Sequence, residues 1–196
     1  FRQDYEPEVG RVMEAAAGHC PLFCALGANK RYWTVRGASM FDRVIAVEAA
    51  RETFDRLCEN TRYLDGGEAH RAAGHARSGD DLVPAGQAAL IKLDVEGAEI
   101  AAVEGAERCL RDGSVLIYED HGSDPECKIS AHLLKDPQMC LYSVEKGLMR
   151  LGSVDEIRRR KTDPFKGYNF LAAHAASPLL AAVAEDEFRR VRSRGP

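Results

Sequence analysis

Short apolar runs alternate with helical patterns along almost the whole chain. Strands are predicted where a short run is nearly all apolar, and helices where apolar residues recur every three or four positions. The predicted strands are residues 21–26, 43–47, 69–74, 88–93, 114–118, 139–144 and 168–173. The predicted helices are residues 6–18, 50–64, 98–111, 128–135 and 175–192. This alternation favours an α/β fold with a mainly parallel sheet that is covered by helices on both faces.

In a mainly parallel sheet, ligands bind beyond the carboxyl ends of the strands. The polar residues that directly follow the predicted strands are therefore the candidates for chemistry. They are residues 27–29, Glu48, 94–97 and 119–121. The link between residues 74 and 88 is short and polar for a segment that must route the chain across the sheet, which suggests that residues are missing there.

A glycine turn followed by an acid is the first candidate. Gly27 lets the backbone turn tightly and approach a ligand closely, and Ala28 and Asn29 continue the turn. The next two residues are Lys and Arg, so the G-x-G-x-x-G pattern of dinucleotide-binding loops is absent. Glu48 ends the second strand, where an acid can accept hydrogen bonds from both hydroxyls of a ribose. An ordinary turn and a surface carboxylate beside a helix start remain the alternatives.

A cluster of acids lies where the fourth predicted strand meets a helix, in the segment IKLDVEGAE at residues 91–99. Strand periodicity places Asp94 and Glu96 on the same side, and Glu99 follows one turn later. Clustered carboxylates raise at least one pKa, as a proton acceptor requires, and they could equally hold a divalent cation. Acids are also favoured at a helix N-terminus, so capping by Glu96 and Glu99 is the alternative.

Glu119 and His121 follow the next predicted strand and share its parity, so both are expected to face the same cleft as Asp94. Histidine is the usual general base near neutral pH. A loop histidine without a role is the alternative interpretation. The other histidines of the chain lack neighbouring acids at a strand end.

Composition narrows the class of protein. The chain has 196 residues, of which 45% are hydrophobic and 30% charged, as expected for one globular domain. No apolar run is long enough to predict a membrane span. The six cysteines form no C-x-x-C pair, which indicates buried thiols in a reducing cytoplasm. The net charge of −4 argues against nucleic-acid binding by bulk charge, and the basic segments 158–161 and 189–194 are interpreted as solvated helix ends.

Several segments, taken in order, resemble the FkbM-type methyltransferases. IKLDVEGAE is the most specific of them, and the others are GAN at 27–29, VIAVEA at 44–49, FDRLCENTRYL at 54–64, VLIYEDHG at 115–122 and NFLAAH at 169–174. The resemblance implies a Rossmann-like class I methyltransferase fold with a mostly parallel seven-stranded sheet whose last strand is antiparallel. It also implies S-adenosylmethionine as methyl donor and methylation of a hydroxyl on a sugar or secondary metabolite. The matching domain is residues 20–175, preceded by a helical segment at 1–19 and followed by a basic helix at 176–196.

The chain departs from the family's first motif, which usually reads Asp-x-Gly-Ala-Asn-x-Gly. Ala25 stands in place of the acid, which would help hold the methionine end of the donor, and Arg31 stands in place of the second glycine. The departure suggests that the cofactor is bound weakly or in a different way, unless the loop after residue 30 is incompletely represented. It also supports a rival hypothesis, a non-catalytic binding or scaffold domain. A nicotinamide-dependent oxidoreductase is a second rival, disfavoured because the phosphate-binding glycines are missing.

The expected site therefore has two parts. The resemblance and the turn-then-acid spacing assign cofactor binding to Gly27, Ala28, Asn29 and Glu48. Asp94 and His121 are expected to act as proton acceptor and orienting group, in either order, with Glu96 and Glu119 as supports. A divalent cation bridging Asp94 and Glu119 would serve the same end by lowering the pKa of the hydroxyl. The expected partner is a small-molecule or glycan acceptor.

Overall fold

The computed structural model describes residues 5–64, 67–71 and 78–193. Its strands are β1 Leu22–Leu26, β2 Arg43–Glu48, β3 Gly67–Arg71, β4 Leu90–Leu93, β5 Val115–His121, β6 Met139–Ser143, β7 Met149–Leu151 and β8 Gly167–His174. Its helices are α1 Pro7–Ala17, α2 Tyr32–Ala38, α3 Arg51–Thr61, α4 Gly79–Leu82, α5 Glu99–Glu104, α6 Glu107–Arg111, α7 Lys128–Leu133, α8 Val154–Arg160 and α9 Pro178–Ser193.

All strands of this part of the chain form one sheet in the order β3-β2-β1-β4-β5-β8-β6-β7. The five strands from β3 to β5 pair in parallel. Strand β8 is antiparallel to both β5 and β6, and β7 is antiparallel to β6. The Rossmann-like methyltransferase fold is thus confirmed. The strand order switches direction at β1, with β2 on one side and β4 on the other, which opens a crevice at their carboxyl ends.

The sheet has eight strands among the described residues, whereas the sequence predicts seven. The added strand, β7, is three residues long and pairs with β6 after a connection at residues 144–148, in which Gly147 has a φ of 94°. Its sequence is Met-Arg-Leu and only Leu151 is buried, so the apolar alternation is too short to indicate a strand.

Helices cover both faces because alternate residues of each strand point to opposite sides. On one face, Cys24, Ile45 and Ile91 pack in a cluster with residues of α4 to α8. On the other face, Phe23 and Val44 pack with residues of α1, α2, α3 and α9. Both terminal helices therefore share a hydrophobic core with the sheet. The three-part division of the chain stays a prediction.

Several elements differ from the sequence-based expectation. The helix predicted over 98–111 is two helices that are separated at Gly105, where a Cβ would lie 2.7 Å from the Ser78 Cβ. The last helix begins at Pro178 because the Ser177 hydroxyl accepts from the Leu180 amide at 3.1 Å. Helices α2, α4 and α8 are additional. The third strand is β3 at Gly67–Arg71, and residues 72–74 of its predicted range lie outside the described residues.

The six cysteines are free thiols, and all except Cys58 are buried. Burial raises the pKa of Cys20 to about 11 and that of Cys24 to about 12. Within the described ranges, none of the helices has the combination of length and apolar character that crossing a bilayer demands.

Candidate functional site

Two adjoining cavities lie at the carboxyl ends of the central strands, each of about 430 Å³. The first cavity is bounded by the turns after β1 and β2 and by the start of α5. The second cavity lies between the turn after β4 and the end of β5. Both are lined by Asp94, Val95 and Glu96, so this short segment after β4 forms the boundary between them. All predicted site residues except Ala28 line these two cavities.

Gly27 is needed at the start of the first cavity. Its φ of 81° is favourable only for glycine, and a Cβ there would overlap the backbone carbonyl of Asp94. The Asp94 amide donates to the Leu26 carbonyl at 2.9 Å, which holds the two turns together. Gly27 and Asn29 line the cavity, whereas Ala28 is buried at 6% exposure and is not among the described lining residues. Its amide donates to the Val47 carbonyl at 2.9 Å.

The Glu48 carboxylate also lines the first cavity and is fixed by backbone amides. Its Oε2 accepts from the Asn29 amide and its Oε1 from the Ala50 amide, both at 2.9 Å. These bonds join the turn after β1 to the start of α3. Each carboxylate oxygen can accept a further hydrogen bond, so both remain able to bind a hydroxyl.

The two positions that depart from the family motif lie beside this cavity. Ala25 is buried in β1 within an apolar cluster, at 3% exposure. Arg31 has a φ of 158° and a ψ of −19°, a combination that glycine adopts more readily than residues with a side chain. Arg31 is not among the described residues that line the cavity. The backbone at position 31 thus keeps a shape suited to glycine although the residue is arginine.

All four residues that the sequence assigns to catalysis line the second cavity: Asp94, Glu96, Glu119 and His121. Glu119 is half-buried. Burial raises the pKa of its carboxyl, and the nearby carboxylates of Asp94 and Glu6 add to that effect. Gly167 on β8 makes room for this side chain, because a Cβ there would overlap the Glu119 carboxylate.

The hydrogen bonds of His121 indicate its tautomer. The Ser123 amide donates to Nδ1 at 3.2 Å, and the Ser123 hydroxyl lies 2.6 Å from the same nitrogen. An Nδ1 that accepts from an amide carries no proton, so the neutral ring carries its proton on Nε2. In this state His121 presents an N–H donor at Nε2.

Sequence reasoning missed a buried lysine beneath the boundary segment. Lys92 on β4 is 2% exposed, and its Nζ donates to Asp94 Oδ2 at 3.0 Å. Glu6 Oε2 lies 3.9 Å from the same ammonium, and the Trp33 ring centroid lies 5.9 Å from it. Tyr5 lies next to Glu6 in the chain. Its pKa is raised to about 12 by burial and, to a smaller extent, by the charges of Glu6, Asp94 and Glu119. The signal in the sequence that could have revealed this residue is a lysine between apolar residues in a predicted strand.

A second buried charge pair supports the wall of the second cavity. Asp120 and Lys161 are each 1% exposed, and the Lys161 ammonium donates to Asp120 Oδ1 at 2.5 Å. The Ser130 hydroxyl donates to Asp120 Oδ2 and lies 2.8 Å from the Tyr118 hydroxyl. This network ties β5 to α7 and to the end of α8. The basic segment 158–161 is therefore not wholly solvated: the Lys161 side chain is buried, whereas Arg158 is exposed and donates to the Asp155 carboxylate at 2.6 Å.

Metal binding at the site is not shown. Among the residues that the structure describes, no three or more His, Cys, Asp or Glu side chains are grouped so as to hold a metal ion. The cation predicted between Asp94 and Glu119 stays a prediction.

Comparison with known proteins identifies the fold. No family model matches the chain. No curated protein matches its sequence. Solved structures match over most of its length, several of them methyltransferases, and they share its Rossmann-like methyltransferase fold.

Three of these structures illustrate the likeness. An O-methyltransferase of Bacillus cereus, solved with SAH, has a TM-score of 0.60 at 16% identity, over 89% of this chain and 84% of that one. The O-methyltransferase TomG of Streptomyces achromogenes, solved with SAM, has a TM-score of 0.59 at 13% identity, over 88% and 82%. Methyltransferase FkbM of Methylobacillus flagellatus has a TM-score of 0.52 at 16% identity, over 79% of this chain and 44% of that one. At these identities the likeness establishes the fold.

Proposed function

We propose that the protein is an S-adenosylmethionine-dependent methyltransferase that acts on a hydroxyl of a small-molecule or glycan acceptor. The pair of adjoining cavities that share Asp94, Val95 and Glu96 carries this proposal, because methyl transfer needs donor and acceptor to meet at one boundary. Structural neighbours solved with SAM or SAH support it, as does the resemblance to FkbM-type methyltransferases.

The residues of the first cavity fit the donor. A volume of about 430 Å³ is within the range of small-molecule sites. Glu48, held by two backbone amides, is suited to accept hydrogen bonds from ribose hydroxyls, and the turn at Gly27 and Asn29 brings backbone close to the ligand. When bound, S-adenosylmethionine supplies a methyl group that its sulfonium charge has already activated.

The residues of the second cavity would align the acceptor and take its proton. We assign Asp94 as proton acceptor, since it lies on the boundary between the cavities and Lys92 fixes one of its oxygens. We assign His121 as the orienting group, because Nδ1 accepts from the Ser123 amide and leaves Nε2–H to donate. Glu119 and Glu96 line the same cavity as supports.

Calorimetry with S-adenosylmethionine and S-adenosylhomocysteine tests donor binding, and radiolabelled methyl transfer to a panel of sugars and phenols tests acceptor use. We expect micromolar to millimolar donor binding, and Asp94→Asn to lower turnover by about a hundredfold or more. That variant should also melt earlier than the wild type, because it leaves the buried Lys92 ammonium without its nearest charge. Absence of binding at millimolar donor would contradict the proposal.

A non-catalytic binding or scaffold domain is the second candidate. Two observations favour it: the Glu48 oxygens already accept backbone hydrogen bonds that a structural residue would make, and Ala25 supplies no carboxylate. The calorimetric experiment separates the two candidates, since a scaffold that has lost the donor site gives no heat. A nicotinamide-dependent oxidoreductase is not carried forward, because an antiparallel strand lies between β5 and β6 where the dinucleotide-binding sheet is parallel.

A further inference from the structure

We propose, on the basis of the function proposed above, that Glu6 and Lys92 are positioning residues for the Asp94 carboxylate. Glu6 anchors the Lys92 ammonium from one side, and Lys92 holds Asp94 at the boundary of the two cavities. The residue that precedes the first helix is thereby part of the active site.

Lys92 must have charged or polar partners because it is almost completely buried. At 2% exposure its ammonium has lost its hydration, which is costly unless carboxylates or π-faces replace the water. Asp94 Oδ2 lies 3.0 Å from Nζ, Glu6 Oε2 lies 3.9 Å from it, and the Trp33 ring centroid lies at 5.9 Å. The ammonium is therefore held between two carboxylates on one side of the sheet.

Glu6 is fixed more firmly than a helix-terminal residue normally is. Its carboxylate is 14% exposed, with Oε2 accepting from the Trp33 indole N–H and Oε1 from the Asn169 amide, both at 3.1 Å. Its backbone has a φ of 44° and a ψ of 63°, a left-handed conformation that residues with a side chain seldom adopt. Such strain persists only where surrounding contacts determine it, and it is concentrated at functional sites.

Asp94 differs from its two partners because it remains accessible. Its side chain is 43% exposed and lines both cavities, whereas Lys92 and Glu6 line neither according to the described residues. One carboxylate oxygen is thus fixed from below by Lys92. This arrangement orients the other oxygen without occupying the space in which donor and acceptor would meet.

The variants Glu6→Gln and Lys92→Met test the proposal, with Glu14→Gln as the matched control. Glu14 lies on the first helix, which Glu6 precedes, and pairs with Arg36 at 3.2 Å, so its loss breaks a more exposed ion pair of the same helix without touching Lys92. We expect Glu6→Gln to lower kcat for a verified acceptor by about tenfold or more while KM for the donor changes less than about twofold. Glu14→Gln should change neither.

Crystal structures with bound S-adenosylhomocysteine give a readout that needs no acceptor. The Asp94 carboxylate should move from its wild-type position in Glu6→Gln and Lys92→Met, but not in Glu14→Gln. An unmoved Asp94 together with normal kcat in Glu6→Gln would overturn the proposal. So would an equal loss of kcat in Glu14→Gln, which would indicate general loosening of the first helix.

Failure of the proposed function gives a different result. A wild-type protein that binds no donor refutes the methyltransferase, and the position of Asp94 in ligand-free crystals of the same variants then decides whether Glu6 and Lys92 position it. Lys92→Met alone is not decisive if it fails to fold, and Glu6→Gln keeps the experiment interpretable because it leaves Lys92 its nearer partner.

Discussion

The first cavity is held together mainly by hydrogen bonds of backbone amides, whereas the carboxylates of the second are supported by side chains from distant parts of the chain. In the first, the turn after β1 is joined to the end of β2 because the Asn29 amide donates to the Glu48 carboxylate and the Gly27 amide donates to the Val47 carbonyl. In the second, support comes from Glu6 and Asn169, which are 163 positions apart and joined through side chains. A site held by backbone is constrained by conformation, and a site held by side chains is constrained by charge and packing.

The largest effect is expected where the backbone is most constrained. Gly27→Ala should lower the free energy of unfolding by about 3 kcal/mol or more, because it combines a φ of 81° with overlap against the Asp94 carbonyl. Urea denaturation measures the loss. Gly86→Ala is the control, since its φ of 74° is similar but nothing lies within 4 Å, and we expect about 1–2 kcal/mol. Equal losses would mean that close approach of the two turns contributes nothing.

Removal of the fixed carboxylate should affect the first cavity alone. Glu48→Ala is expected to weaken binding of S-adenosylhomocysteine by about 1–3 kcal/mol, which corresponds to about tenfold to a hundredfold. Calorimetry measures the affinity. Glu52→Ala in the first turn of the following helix serves as the control, since this exposed acid is not among the described lining residues. Unchanged affinity in Glu48→Ala would favour the scaffold candidate.

The second cavity should make the stability of the folded protein depend on pH through Glu119. Burial, and then the Asp94 carboxylate, raise the pKa of Glu119 above the ordinary 4.5. The folded protein therefore holds this proton more tightly than the unfolded chain, so stability falls as pH rises from the ordinary pKa through the raised one. Glu119→Gln removes the free-energy cost of ionising this half-buried carboxyl, because glutamine carries no charge.

Melting temperatures of the wild type and Glu119→Gln, measured at about pH 4 and about pH 7, test this expectation. The melting temperature of the variant should rise relative to that of the wild type between the lower and the higher pH. A difference that is the same at both pH values would show that the carboxyl is not perturbed.

The smallest effect is expected at the sheet edge, far from both cavities. The Arg43 guanidinium, which donates to Glu68 at 2.8 Å, lowers the pKa of that carboxyl. Its contribution is present above the ordinary pKa of 4.5 and is lost as pH falls through the lowered one. Because both side chains are exposed, Glu68→Gln should cost only about 0.2–1 kcal/mol at neutral pH in chemical denaturation. A larger loss would mean that edge pairing contributes more than exposed ion pairs normally do.

The same contrast explains which features the sequence predicts. Strands β1, β2, β4 and β5 are nearly continuous apolar runs that end in a glycine or an acid, so local pattern predicts both the strands and the residues beyond them. Glu6 is an acid before a proline-initiated helix, and only the folded chain brings its carboxylate to Lys92 and Asn169. Short elements such as β7 form because β6 offers an edge, and their own residues do not indicate them.

Strand β8 is synthesised after all the other described strands, yet it lies inside the sheet, between β5 and β6. Until Gly167–His174 are synthesised, β5 has an unpaired edge and the β6–β7 hairpin has no neighbour to join. A chain interrupted before that point therefore leaves the sheet in two pieces, with apolar strand edges open to other chains and to proteases. Only translation through β8 joins these pieces into one sheet.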